Sequence, residues 1–214
     1  MERSGIKISR RMSELLASLT RRQILLLTVG VEAGMGLLAL GLGLAFHLPV
    51  TGWVRPDQAG LVVGLQGAAV LFGTLLLCRL FPVGPVGRLM RFVDYTVRPL
   101  FLKCRTGDLL LIAVLAGVGE ELLFRGLIQG GLAEWWGEWP ALGVASVLFG
   151  LAHCMTREYA VFAMILGFFL GWLVLVTGDL TAAIVAHAGY DFAALLLLTK
   201  KGGDDEVPGP EGRD

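Results

Sequence analysis

Three ionisable side chains lie in the middle of a long apolar stretch of this sequence. Glu120, Glu121 and Arg125 are preceded by the apolar residues 109–118 and followed by further apolar sequence. Each such charge costs roughly 3 kcal/mol near the centre of a bilayer-spanning helix. Glu121 and Arg125 are four residues apart, so they can form an ion pair on one helix face. Glu120 lies about 100° around that helix and has no partner on it. A buried ion pair alone therefore leaves Glu120 unexplained.

Two later stretches of the sequence add histidines and a further acid. Phe149 and His153 are four residues apart, and so are His187 and Asp191. Asp191 can therefore accept a hydrogen bond from His187 and fix the orientation of its ring. Three helices that direct acids and histidines to one interior would supply a base, a second base or ligand, and hydrogen-bond donors. That set suits the activation of a water molecule against a carbonyl group.

Catalysis by a serine or a cysteine fits this sequence less well. Ser146 has no base at a workable helical spacing. Cys154 is adjacent to His153, so a helix directs the two side chains about 100° apart. The three cysteines are odd in number, and we interpret them as reduced thiols and not as a disulfide framework.

The elements that must position these residues are predicted to be transmembrane helices. The chain is 55% hydrophobic and 17% charged, with a mean hydropathy of +0.72. These values are typical of membrane proteins and exclude an ordinary soluble domain. We expect an all-α, polytopic bundle of about six transmembrane helices. The predicted spans are 23–46, 58–80, 108–130, 140–153, 159–176 and a sixth that ends at Lys200-Lys201.

The predicted spans place Glu120 and His153 at different depths. Glu120 lies about 18 Å along the third span, whereas His153 lies near the cytoplasmic end of the fourth. The two side chains can meet if the third span begins in the cytoplasm, or if the fourth continues past Thr156. The polar residues 106–108 favour the first arrangement.

Basic residues indicate the orientation in the membrane. Residues 1–22 contain six, residues 81–107 contain five, and the sixth span ends in two, whereas the opposite loops contain only Arg55. The positive-inside rule therefore predicts that both termini are cytoplasmic. We interpret 1–22 as a basic amphipathic segment on the membrane surface and 81–107 as a partly helical interfacial linker. A single transmembrane domain spans 23–201, and the polar tail 202–214 is expected to be disordered.

The order of the motifs resembles that of a known family. Glu-Glu-x-x-x-Arg at 120–125 is followed by Phe-x-x-x-His at 149–153 and by His-x-x-x-Asp at 187–191. This series resembles the CPBP family of intramembrane endopeptidases. The family includes the type II CAAX prenyl proteases and the Abi-type bacteriocin-processing or self-immunity proteins. The resemblance covers about residues 108–195.

The resemblance implies roles for the matching residues. Glu120 and His153 would hold and deprotonate a water, and His187 and Asp191 would occupy the place that stabilises the oxyanion. Glu121 and Arg125, with the motif residue Phe149, would support the site. The best-studied members have Asn where this sequence has Asp191. An ionised Asp cannot donate a hydrogen bond to an oxyanion, so we expect Asp191 to orient His187.

The family has often been described as metalloproteases, and two histidines with a glutamate can bind zinc. His-Glu-x-x-His is absent from the sequence. We favour a metal-free mechanism because Arg125, one turn beyond the glutamates, would oppose a second positive ion in a low-dielectric site unless Glu121 neutralises it fully. Zinc on His153, His187 and Glu120 is the alternative.

The predicted function is a cytoplasm-facing intramembrane endopeptidase in a prokaryotic inner membrane. Its partners would be membrane lipids and a peptide or membrane-protein substrate, and the zero net charge suggests no nucleic acid. The alternatives are a non-catalytic membrane partner or immunity protein of the same fold, and an ion or proton carrier.

Overall fold

The computed structural model describes residues 18–200 of the chain. Most of the predicted amphipathic segment 1–22 and all of the predicted tail 202–214 lie outside this range. The described residues form helices and contain no β-strand. The predicted all-α membrane helix bundle is confirmed.

The helices follow one another with short connections. They are α1 (Arg21–Ala45), α2 (Gln58–Leu80), α3 (Gly84–Phe92), α4 (Arg98–Phe101), α5 (Thr106–Glu121), α6 (Gly131–Trp136), α7 (Glu138–Ala152), α8 (Arg157–Thr177) and α9 (Leu180–Thr199). A 3₁₀ helix covers Val50–Trp53, and π-helical segments cover Val93–Val97 and Leu122–Gly130. The second π-helical segment joins α5 to α6 without a break.

Four of these helices are long and apolar enough to cross a membrane: α1, α2, α8 and α9. The other two predicted spans are the ones that carry Glu120 and His153. Helix α7 has 15 residues and is about 22 Å long, shorter than the roughly 30 Å hydrocarbon layer. The third predicted span is divided between the 16 residues of α5 and the π-helical segment. Its charged residues lie around this change of helix type, so its apolar run is interrupted.

Helix α9 lies at the centre of the bundle and packs against α2, α5 and α8. Helix α7 packs against α8 and the Leu122–Gly130 segment. Helix α1 packs against α5 and the Leu122–Gly130 segment, and its other faces expose leucines such as Leu37 and Leu44. In a membrane protein such faces contact lipid.

Glycines allow two of these helix pairs to approach closely. A Cβ on Gly119 of α5 would overlap the carbonyl oxygen of Glu32 of α1. A Cβ on Gly64 of α2 would lie 2.6 Å from Val185 Cβ of α9. Small residues of this kind let helix backbones come together in a membrane, where lipid-facing apolar surface provides no driving force for association.

The predicted interfacial linker is largely helical, and ion pairs hold it against the bundle. Arg88 of α3 donates to Glu158 of α8 at 2.6 Å. Asp94 accepts from Arg79 of α2 at 2.8 Å. Helices α3 and α4 therefore lie beside the membrane-spanning helices and do not form a free loop.

Candidate active site

The Glu121–Arg125 pair is the most deeply buried polar contact of the site. Arg125 Nη1 donates to Glu121 Oε1 at 2.8 Å, and the two side chains are 1% and 0% exposed. Arg125 Nη2 donates to the carbonyl oxygen of Gly167 in α8 at 2.8 Å. The guanidinium also lies 4.3 Å from the centre of the Phe149 ring. Arg125 therefore connects the α5–α6 segment to α7 and α8.

Glu121 also holds His187 of α9. The same oxygen, Glu121 Oε1, lies 2.7 Å from His187 Nδ1. As the ion-pair partner of Arg125, this carboxylate can only accept hydrogen bonds, so His187 Nδ1 carries the hydrogen. His187 Nε2 faces Asp191 Oδ2 at 3.5 Å. The shorter contact to His187 thus comes from Glu121, on another helix, and the longer one from Asp191.

Sequence reasoning missed the Glu121–His187 contact. Spacing within one helix predicts which residues share a face of that helix, but it gives no register between two helices. Spacing alone predicts a hydrogen bond between His187 and Asp191, which are four residues apart.

Glu120 and His153 come together at the end of α7. His153 Nδ1 lies 2.9 Å from the carbonyl oxygen of Phe149, which can only accept, so Nδ1–H is the donor. In the neutral ring, Nε2 is then an acceptor, and it lies 3.6 Å from Glu120 Oε2. Glu120 is 6% exposed, and its Oε2 has no hydrogen bond to any residue between 18 and 200. Both atoms are therefore available to a third group.

In the structure α5 begins at Thr106 and α7 ends at Ala152, just before His153. Of the two arrangements that the sequence allows, a fourth span that continues past Thr156 is not the one observed. Thr156 instead caps the start of α8, where its hydroxyl accepts from the backbone N–H of Tyr159.

A cavity of about 290 Å³ lies between the helices, and four predicted site residues line it: Glu120, His153, His187 and Asp191. Phe149 also lines it, whereas Glu121 and Arg125 lie behind its wall. The far side of the cavity is apolar and includes Leu75, Met90, Val93, Phe162 and Leu198. The predicted residues thus divide into a group that faces the cavity and a buried pair that supports it.

The predicted zinc alternative can be compared with this arrangement. Among the described residues, no three His, Cys, Asp or Glu side chains converge in a way that could hold a metal ion. His187 Nδ1 is bonded to Glu121, and His153 Nδ1 to a carbonyl oxygen. These contacts leave Nε2 of both rings free, which suits a metal ligand as well as a group that moves protons. The zinc alternative therefore stays a prediction, and we derive no step through a metal ion.

The fold and the site together define a helical membrane protein with a cluster of acids and histidines at a cavity between its helices. Residues 105–193 match the family model of the Rce1-like type II CAAX prenyl endopeptidases. This segment runs from just before α5 into α9 and contains all three motifs, so the part of the chain that carries the site is similar to these endopeptidases. The predicted resemblance is confirmed.

The family match supports an intramembrane, CAAX-protease-type function in general terms, and the chain is an integral membrane protein. A comparison of the chain with curated proteins found no match, and a comparison with solved structures found none.

Proposed function

We propose that this protein is an intramembrane endopeptidase in which Glu120 and His153 activate a water molecule. The observation that supports this most directly is the 3.6 Å gap between Glu120 Oε2 and His153 Nε2. Two acceptors at this separation suit a water about 2.8 Å from each, since the water can donate one hydrogen to each of them. Its remaining lone pairs would then point into the cavity that both residues line.

The reaction follows from this placement. The water oxygen bonds to the carbonyl carbon of the scissile amide while Glu120 takes a proton from the water. The carbonyl electrons move to the oxygen and form an oxyanion. Collapse of the tetrahedral intermediate breaks the carbon–nitrogen bond, and the proton on Glu120 passes to the leaving amine. The products are a carboxylic acid and an amine, and Glu120 returns to its starting state.

His187 is the proposed oxyanion donor, and Glu121 and Asp191 orient it. Glu121 fixes the ring through Nδ1, which leaves Nε2 beside Asp191 and the cavity. Once the ring is protonated, it donates from both nitrogens, and Nε2–H can stabilise an oxyanion. Arg125 keeps Glu121 in place by binding the same carboxylate oxygen.

We further propose that the protein lies in a prokaryotic inner membrane with both termini in the cytoplasm, where it acts on a peptide or membrane-protein substrate. The basic helices α3 and α4 support this orientation. Their residues Leu89, Met90 and Phe101 line the cavity, so the site lies next to the basic side of the protein. The boundaries 1–22, 23–201 and 202–214 remain our proposed division of the chain.

A test of the proposed reaction compares cleavage by the wild type and two variants in lipid vesicles. The substrates are a proteome-derived peptide library, and cleavage is followed by mass spectrometry. Glu120→Ala and His153→Ala should each lower turnover by about 10²–10⁴-fold, because the base and its partner act as a unit. Glu134→Gln removes an exposed acid in the segment 131–139, which does not line the cavity, so it should leave turnover unchanged. Full activity in either site variant would overturn the assignment.

A further inference from the structure

Glu32 of α1 is an intramembrane acid that the proposed reaction does not use. It lies outside the segment 105–193 that matches the family. Its Oε2 is buried and has no hydrogen-bond partner within the described part of the chain. Glu32 lines the cavity, as does Thr28 one helical turn earlier. A carboxyl group in a lipid-embedded helix is costly, so this placement requires a compensating partner or a function.

The backbone contact between α1 and α5 fixes Glu32 next to the proposed base. Gly119 directly precedes Glu120. The carbonyl oxygen of Glu32 lies so close to Gly119 that a side chain on this residue would overlap it. Gly36, one turn further along α1, also faces the Gly119 backbone. Helix α1 therefore crosses α5 at the residue before Glu120, and both glutamates enter the cavity from neighbouring helices.

The ionisable groups that line the cavity are unequal in sign. Three are acids, Glu32, Glu120 and Asp191, and two are histidines, His153 and His187. Among described residues, no lysine or arginine lines it. When all three acids are ionised and both histidines are protonated, one carboxylate remains without an opposite charge. Arg125 does not supply that charge, because it lies behind the cavity wall and is paired with Glu121.

We propose that Glu32 binds a lysine or arginine side chain of the substrate close to the scissile bond and so selects which peptides are cut. The inference rests on the proposed peptidase function. A long basic side chain would place its charge at the unpaired Oε2 of Glu32. Its methylene groups would contact the apolar cavity surface, an arrangement that long basic side chains commonly adopt.

The test uses the peptide library and vesicles described above and reads the residues that flank each cleaved bond. Wild-type protein should favour Lys or Arg over Gln at one flanking position by about tenfold or more, as expected for a charge-assisted hydrogen bond. Glu32→Gln should reduce that ratio to near one while it still cleaves neutral peptides. Glu134→Gln, which removes an exposed acid away from the cavity, should keep the wild-type ratio. A purely structural role for Glu32 would lower all cleavage together and leave the ratio unchanged.

The outcomes separate the two hypotheses. The role of Glu32 is overturned if the wild type cleaves peptides without a preference for Lys or Arg, or if this preference survives in Glu32→Gln. Either result leaves the proposed peptidase function intact. No cleavage by the wild type overturns the peptidase function and this inference with it. If Glu32→Gln is unstable, Glu32→Asp keeps the charge and should retain the basic preference. Its loss in a folded Glu32→Asp protein would also count against the proposal.

Discussion

Replacement of Arg125 by alanine should destabilise the protein far more than replacement of Glu120. Arg125 is 1% exposed, donates to Glu121 and to the Gly167 carbonyl, and covers the face of Phe149. Its loss leaves the Glu121 carboxylate buried with His187 as its one side-chain partner among residues 18–200. Breaking a buried ion pair by removal of one partner costs about 3–5 kcal/mol. Glu120→Ala removes a carboxyl whose Oε2 has no hydrogen bond within the described range, so we expect a loss of about 1 kcal/mol or less.

The free energy of unfolding in lipid bicelles, measured by steric trapping, would test this difference. Arg79→Ala is the matched control, because it removes an arginine from a partly exposed pair with Asp94. Such pairs contribute about 0.2–1 kcal/mol. The double variant Glu121→Gln with Arg125→Met removes both charges, so neither is left buried alone. Its loss of unfolding free energy should be smaller than the sum of the losses in the single variants Glu121→Gln and Arg125→Met. Equal losses in Arg125→Ala and Arg79→Ala would refute the argument that Arg125 is held as a buried, fully engaged charge.

Two further predictions concern the metal and the packing of α8. After exhaustive chelation, metal analysis should find a metal-free protein that still cleaves peptides, because Glu120 and His153 suffice to activate water. A content of about one zinc per chain, with activity lost when the zinc is removed, would contradict this prediction. Gly167→Ala should lower the unfolding free energy by about 1–3 kcal/mol and reduce turnover, because the added Cβ would lie 3.1 Å from both Arg125 and Phe149. The control is Gly143→Ala on α7, where the added Cβ has no atom within 4 Å, so this variant should show neither effect. Equal stability and turnover in the two alanine variants would show that the contact at Gly167 is not tight.

The sequence predicted the fold class and the contacts within single helices better than those between helices. Long apolar runs defined α1, α2, α8 and α9, because a bilayer requires about 20 apolar residues in a row. The spacing of Glu121 and Arg125 likewise predicted an ion pair, since residues four apart share a helix face. The π-helical form of Leu122–Gly130 was not predicted, because its residues have no composition that distinguishes a π-helix from an α-helix.

The candidate site depended on contacts that spacing cannot encode. The Glu121–His187 bond joins residues 66 positions apart and depends on how α9 is rotated against α5. Glu32 could be recognised as unusual from its apolar surroundings, but its position beside Glu120 depends on the crossing of α1 over Gly119. A glycine in a transmembrane helix indicates only that some close approach is possible. The partner and the angle of that approach are set by the assembled bundle.

The contacts of Arg125 have a consequence for how the protein is made. During synthesis, α5 and its polar residues leave the ribosome before α7, α8 and α9, which supply Phe149, Gly167 and His187. Until those helices arrive, Glu121 and Arg125 can pair only with each other in a low-dielectric surrounding. The newly inserted segment should therefore stay near the translocon or a membrane chaperone until the later helices dock. A chain that stops before Gly167 would leave Arg125 without one of its two hydrogen-bond acceptors.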